Sequence, residues 1–248
     1  MRIHIVACRV LSRELNALAA ISPHVVELSW LPQGLHDTPD KLRAMLTATL
    51  DGLYRQRDEG LLHGWPDVIA LGYGLCSNGV VGVESRDTPL VIPKTDDCIA
   101  MFLGSQKRYL EMFGQYNGCY WLNNGWIEHG WSEPSDDKEL LAERREEYAR
   151  LYGEENADFL LEQERAWIHN YNTCGYIVSP VFDAPAYEDK AKTFAQGNGW
   201  RYARMQGDLR MLRMLTEGAW TEEEFLICPP YHRVEATYDA DKIRAVPI

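Results

Sequence analysis

Six cysteines punctuate the chain, at Cys8, Cys76, Cys98, Cys119, Cys174 and Cys228. No two form a CxxC pair, so neither a zinc-ribbon nor a ferredoxin motif is written in the spacing. Three of them share another signature, because each follows a short apolar run. Cys8 closes the run that starts at His4. Cys76 lies in GYGLCSNG (72–79), beyond Val68-Ile69-Ala70-Leu71. Cys98 follows Leu90-Val91-Ile92 and the turn Pro93-Lys94-Thr95-Asp96-Asp97. If those runs are parallel strands, the three thiols meet at one carboxyl rim, where ligands bind in open α/β sheets. Three thiolates make a soft site suited to zinc or an iron–sulfur cluster. A 4Fe-4S cluster held by three cysteines leaves one iron open to substrate. Zinc takes a fourth ligand, which His36, in the loop from Leu31 to Thr38, is placed to supply. Two other readings stand beside these. Cysteine is often simply buried as a small apolar residue, and Cys119 and Cys228 read that way. A metal-free enzyme would use Cys76 as nucleophile with His36 as its base.

The neighbours of these cysteines add detail. Gly72, Gly74 and Gly79 are expected to supply positive φ and close backbone approach to a ligand. Their G-x-G-x-x-x-x-G spacing is not the dinucleotide fingerprint. Gly74 and Asn78 are candidate cofactor contacts, with turn capping the alternative for Asn78. Asp97 reads as the N-cap of a helix starting at Cys98. That helix terminus and Lys94 are expected to lower the Cys98 pKa. His36 and Asp97 are the candidate acid–base pair. In CYWLNNGWIEHGW (119–131), Trp121 and Trp126, with Tyr120 and Trp131, either wall a flat ligand or pack as core. Glu128 and His129 are further acid–base candidates without a fixed direction.

The elements that must position these residues alternate. Strands are predicted at His4–Ala7, Val25–Trp30, Val68–Leu71, Leu90–Ile92, Cys119–Leu122, Cys174–Ser179, Trp200–Arg204 and Phe225–Cys228. Helices are predicted at Leu11–Ala20, from Pro39 behind the N-cap Thr38, from Cys98 to Phe113, at Tyr187–Gln196 and at Asp208–Thr216. This is an α/β pattern, Rossmann-like, with a mostly parallel sheet flanked by helices. One domain, 1–248, is expected. It carries an acidic helical insertion at about 135–169, interrupted at Gly153 and read as a solvated helical pair.

Composition narrows the partners. Lys and Arg number 25 against 37 Asp and Glu, a net charge of −12, which disfavours extended nucleic-acid contact. No run approaches the ~18–20 apolar residues of a membrane helix. The N-terminus lacks a signal-peptide pattern. A cytoplasmic protein with free or metal-bound thiols is expected.

The chain resembles the DUF1638 family, whose activity is unknown. The resemblance rests on LHDTPDKLR (35–43), LGYGLCSNGVVG (71–82), LVIPKTDDCIAMFLGSQKRY (90–109), GCYWLNNGW (118–126) and EEEFLICPPYHRV (222–234). It implies that Cys8, Cys76 and Cys98 belong to family motifs, with His36 alongside. It also implies an anaerobic setting tied to corrinoid and methyl-transfer metabolism. The chain departs from the pattern at Cys119, where Thr is expected, and at Ser77, where Gly is expected. The first departure argues against Cys119 as a ligand.

The leading expectation is a metal-dependent enzyme acting on a small-molecule substrate. An open iron would suit lyase or desulfurase chemistry, and zinc would suit thiol or water activation or methyl transfer. The alternative is a non-catalytic accessory protein that binds a corrinoid protein or a methyltransferase, with the acidic helices as its docking surface. A homodimer is compatible with either.

Overall fold

The computed structural model describes residues 1–131 and 138–248. Strand β1 (Arg2–Cys8) is buried from Ile3 to Ala7. Ile3, Ile5 and Ala7 enter one core and Val6 the other, the alternation of a strand covered on both faces. The chain continues through α1 (Ser12–Ile21), β2 (Val25–Leu31), α2 (Pro39–Asp58), β3 (Val68–Gly72), β4 (Leu90–Pro93), α3 (Cys98–Leu103) and α4 (Gln106–Gln115). There follow β5 (Cys119–Asn123), α5 (Asn124–Glu128), α6 (Lys138–Tyr152), α7 (Glu154–Ala166), β6 (Thr173–Val178), α8 (Pro185–Gly197), β7 (Arg201–Gln206) and α9 (Arg210–Glu217). The last elements are β8 (Phe225–Cys228), β9 (His232–Ala236) and β10 (Ile243–Pro247).

The central sheet has the order β2-β1-β3-β4-β8 and is parallel except for β8. Helix α2 covers one face with Leu42, Leu46, Leu50 and Leu53. Helices α1, α3 and α9 cover the other with Leu15, Met101 and Leu212. The alternating pattern thus gives the predicted α/β class, a mostly parallel sheet flanked by helices.

Strands β5, β6 and β7 do not extend that sheet. They pair in parallel with one another, and α8 packs Ala191, Phe194 and Ala195 against Leu122, Cys174 and Tyr176. Periodicity identifies a strand but not its neighbours, so a single parallel sheet is the simpler expectation, whereas the parallel strands divide between two. The carboxyl ends of the second sheet abut elements that follow β1 and β4. Arg13 grips Glu128 through two bonds, at 2.6 and 3.0 Å. The Asp208 N–H donates to the Phe102 carbonyl at 2.9 Å. The Ser179 hydroxyl donates to the carboxylate of Glu14, which is only 3% exposed.

That Glu14 carboxyl has its pKa raised, chiefly by burial, with the Ser179 bond opposing the shift. A raised folded-state pKa favours folding below the unfolded value, ~4.3, and that stability is lost as pH rises through the folded value. Glu14→Gln is therefore expected to raise the Tm at pH 8, and the gain should shrink as pH falls toward 4. Thermal melts of both proteins across that range check it.

Two details differ from the sequence pattern, and one agrees with it. The helix predicted from Cys98 to Phe113 is two helices. It breaks at Gly104 (φ +87), where a Cβ would meet the Asp208 side chain at 2.8 Å. Ser105 then caps α4 by accepting the Arg108 N–H at 3.1 Å. The antiparallel hairpin β9–β10 is an added feature. Its HRVEA strand is half-exposed and charged, so it lacks an apolar signal. The acidic excursion is a pair, α6 and α7, broken at Gly153 (φ +88) as predicted. Arg145 joins the two helices through Asp158 and Glu154. The first residues of the predicted insertion, 135–137, lie outside the described residues. Among the described residues, no helix is long and apolar enough to cross a membrane.

Candidate functional site

The parallel register lines up the strand ends. Cys8 stands opposite Leu31, and Ala7 opposite Gly72. At Gly72 the two strands touch so closely that a Cβ would lie 2.4 Å from that of Ala7. The chain then passes through the buried Tyr73 to Gly74, where a Cβ would lie 2.4 Å from Thr95 Oγ1 and 2.7 Å from its carbonyl oxygen. Beyond Gly74, the Leu75 and Cys76 N–H groups donate to the Thr95 and Asp96 carbonyls at 2.7 and 2.8 Å. The β3–β4 contact is thereby prolonged past the sheet, and Cys76 is held beside the Asp97–Cys98 turn.

Cys76, Ser77 and Asn78 then adopt φ of +45, +56 and +68, a left-handed turn closed by the Gly79 N–H on the Cys76 carbonyl at 3.0 Å. The expected division of labour is reversed. Gly72, Gly74 and Gly79 do not carry positive φ; they are glycines because a side chain would strike Ala7, Thr95 and Leu42. The left-handed backbone falls on three residues with side chains, at ~1–2 kcal/mol each. Ser77→Gly should relieve part of this, net of glycine's greater entropy loss, and stabilise the protein by about 0.5–1 kcal/mol. The shift in a urea unfolding midpoint measures it.

Asp97 caps α3 as predicted, accepting the Ile99 N–H at 2.8 Å. The predicted depression of the Cys98 pKa is wrong. Burial, Asp97 and the other two thiols drive it well above the usual thiol value. Lys94 gives no help, because its ammonium donates to the Glu222 carbonyl and to Asp241, both at 2.7 Å. Burial, the charge of Asp97 and that of Cys8 push Cys76 up to about 12. Burial also raises Cys8, opposed by hydrogen bonds from Val10 and Tyr73. The Cys76 pKa responds to Cys8, that of Cys98 to both Cys76 and Cys8, and Tyr73 senses all three. Cys8 and Cys98 are nonetheless partly exposed.

The other candidates divide. Burial lifts Asp97 to about 6, and the charge of His36 acts on it in the opposite direction. His36 is itself exposed and lies 3.3 Å from Asp37. Asn78 is exposed on the turn, and Gly74 is sealed beneath Thr95. Trp121 meets Tyr109 edge-to-face at 6.2 Å, and Tyr109 has its pKa raised by burial and then by Asp97, Asp96 and Cys98. Tyr109 of that pair is near enough to Cys98 to feel its charge. Trp126 instead packs on Phe102 at 5.6 Å. Glu128 and His129 are engaged at the seam by Arg13 and by Ser12, the latter at 3.0 Å. Cys119 and Cys174 lie buried on adjacent strands of the second sheet.

Sequence reasoning missed Tyr73, Tyr109 and Asn123. Tyr73 lies inside GYGLCSNG, where its position between a strand end and a cysteine was the available signal. Asn123 ends β5 and caps α5, accepting the Trp126 N–H at 2.9 Å. Among the described residues, no group of three or more Cys, His, Asp or Glu is placed so that it could hold a metal ion, Cys8, Cys76 and Cys98 included.

A family model described as a protein of unknown function (DUF1638) matches residues 30–216. No curated protein and no solved structure matches the chain.

Proposed function

The chain belongs to the DUF1638 family, and we propose that its Cys8, Cys76 and Cys98 hold a metal centre at which a small molecule is transformed. The observation that carries this reading is that three thiols follow three different strand ends, with the charge of Cys8 raising Cys76 and the charges of Cys76 and Cys8 raising Cys98. The donor set fits a soft metal. Crowded thiols with raised pKa values make a poor metal-free nucleophile, since a thiol at about 12 holds on the order of 10⁻⁵ of its population as thiolate at pH 7. A cation supplies the positive charge that converts them to ligands.

The small number of protein ligands favours a 4Fe-4S cluster over zinc. Three cysteines satisfy three irons and leave the fourth for substrate, as lyase or desulfurase chemistry requires. Zinc would need His36, whose ring is exposed and beside Asp37. In either case Asp97, poised at about 6, is the residue placed to hold or release a proton near the substrate. A reducing cytoplasm would keep the thiols available.

Anaerobically purified protein tests the reading. Brown colour with broad absorbance near ~400 nm and about four irons per chain supports the cluster. One zinc per chain supports the second metal, and absence of both sinks the proposal. A second reading, a docking protein for a corrinoid or methyltransferase partner, draws support from exposed Leu151, Tyr152 and Phe159 on α6 and α7. It predicts metal-free protein that co-purifies with such a partner.

A further inference from the structure

The amino half of the central sheet holds a polar cluster that the cysteine site does not use. Side chains alternate along a strand, so Glu27 and Ser29 of β2 share a face, and the parallel register sets His4 of β1 directly opposite Glu27. Strand β2 lies at the edge of the sheet, which leaves Glu27 and Ser29 partly open to solvent, whereas His4 is only 8% exposed. His4 Nε2 lies 2.9 Å from the Ser29 hydroxyl, and its Nδ1 lies 3.6 Å from Glu27 Oε2. The other Glu27 oxygen, Oε1, accepts from the Arg2 guanidinium at 3.0 Å. Cys8 closes β1 at its far end, ~13 Å from His4 at the rise of a strand, so this cluster is separate from the thiols.

The bonding order fixes where the protons sit. A carboxylate can only accept, so Glu27 selects the His4 tautomer with its proton on Nδ1 and leaves Nε2 to accept from the Ser29 O–H. Burial lowers the His4 pKa, and the charge of Glu27 opposes the shift. The ring is therefore neutral at pH 7 and can take up a proton. Serine, imidazole and carboxylate in that order are the parts of an activated nucleophile, which is recognised by geometry and roles rather than by chain order or fold. Ser12 and His129 also lie 3.0 Å apart, but the neighbouring Glu128 grips Arg13 rather than the ring.

We propose that Ser29 is a nucleophile for acyl transfer from small esters, with His4 as its general base and Glu27 as the positioning residue, at a second site independent of the cysteines. Ser29 Oγ attacks the acyl carbon as its proton passes to His4 Nε2. The ester C–O bond then breaks and the proton leaves with the alcohol, which gives acyl-Ser29 and neutral His4. Water attacks the acyl carbon while His4 again takes a proton. That proton returns to Ser29 Oγ as the carboxylic acid departs, so the balance needs only ester and water. Glu27 faces the imidazolium that forms in each step. The open edge of β2 lets an ester reach Ser29 without crossing the core.

The test is covalent labelling of the folded full-length protein with an alkyl fluorophosphonate, which forms an Oγ–P bond and expels fluoride, followed by peptide mapping. Hydrolysis of p-nitrophenyl acetate is followed on the same samples. Wild type should take up one phosphonyl group, on Ser29, and lose esterase activity in proportion. Ser29→Ala should abolish both. His4→Asn should slow labelling on the order of 10²–10⁴-fold, the usual contribution of a general base. The wild-type rate should fall as pH drops below ~6.5, since His4 titrates below the ordinary histidine value. Glu27→Gln should slow labelling at least ~10-fold. It should also move the pH midpoint lower, because the charge of Glu27 raises the His4 pKa; a merely structural Glu27 would leave the midpoint in place. Wild type alone is decisive where a variant fails to fold. No labelling, or labelling at Ser12 or any other residue in place of Ser29, overturns the proposal, as does a rate that persists unchanged below pH 6 or in folded His4→Asn. Metal-free and metal-loaded protein should label alike, which keeps this outcome distinct from the fate of the metal centre. Labelling confined to metal-loaded protein overturns the independence of the two sites.

Discussion

If Cys8, Cys76 and Cys98 hold the proposed metal centre, Cys76→Ser is expected to empty it while leaving the fold intact. Outer-shell substitutions already lower metal affinity about 10–100-fold, so loss of a direct soft ligand should reach or exceed ~100-fold. Serine keeps the shape and a polar tip, and the left-handed turn at residues 76–78 loses nothing by the exchange. The variant should therefore be colourless or zinc-free, with a far-ultraviolet spectrum like that of wild type. Cys8→Ser and Cys98→Ser should behave alike, because each thiol belongs to the same electrostatic group. Cys119→Ser and Cys174→Ser, in the second sheet, should retain metal. Iron, sulfide and zinc analysis of the five variants decides the matter. Equal metal content in all five would show that the three rim thiols do not act together. Loss in Cys76→Ser alone would favour a single reactive cysteine.

The second large effect concerns the seam between the sheets. Gly125, in α5, lies so close to the 3-10 turn after Cys8 that a Cβ would stand 1.9 Å from the Val10 carbonyl oxygen and 2.8 Å from its carbon. Both neighbours are backbone, and that turn also fixes the start of α1, so no flexible side chain can yield. Overpacking normally costs about 1–3 kcal/mol and occasionally more. Gly125→Ala should fall at or above the top of that range, ~3 kcal/mol, which lowers Tm by roughly 6–12 °C for a chain of this size. Gly114→Ala is the matched control. It lies in α4, where a Cβ would meet nothing within 4 Å, and the exchange should be neutral or stabilising by up to ~1 kcal/mol. Calorimetry on both proteins checks the contrast. Gly125→Ala should also disturb the thiol site, since Val10 follows Cys8 by two residues.

Much of the fold was legible because it is written in local patterns. The runs Val68–Leu71 and Leu90–Ile92 are apolar, short and bounded by turn residues, so they read as buried parallel strands and are buried. Pro39 at the first helical position and Asp97 at an N-cap act through their own backbone, and both were visible one residue at a time. Strand ends in an α/β chain share a rim, so Cys8, Cys76 and Cys98 were legible as residues that follow β1, β3 and β4.

What depended on distant packing was not legible. The division of the strands into two sheets depends on which backbones pair, and residue type does not record that. The glycines of GYGLCSNG announced a turn, but their positions are dictated by Ala7, Thr95 and Leu42 across the fold, and the positive φ moved to Cys76, Ser77 and Asn78. The pKa of Cys98 runs against its local setting because a helix terminus is a feature of the nearby chain, whereas desolvation and the charges of Asp97, Cys76 and Cys8 arise only once the fold has closed around it. The Asn123 Nδ2 group lacks a partner for the same reason. Sequence by itself determined which residues stand at strand ends; tertiary structure decided which of them lost water and which were left without partners, because burial belongs to the assembled surface.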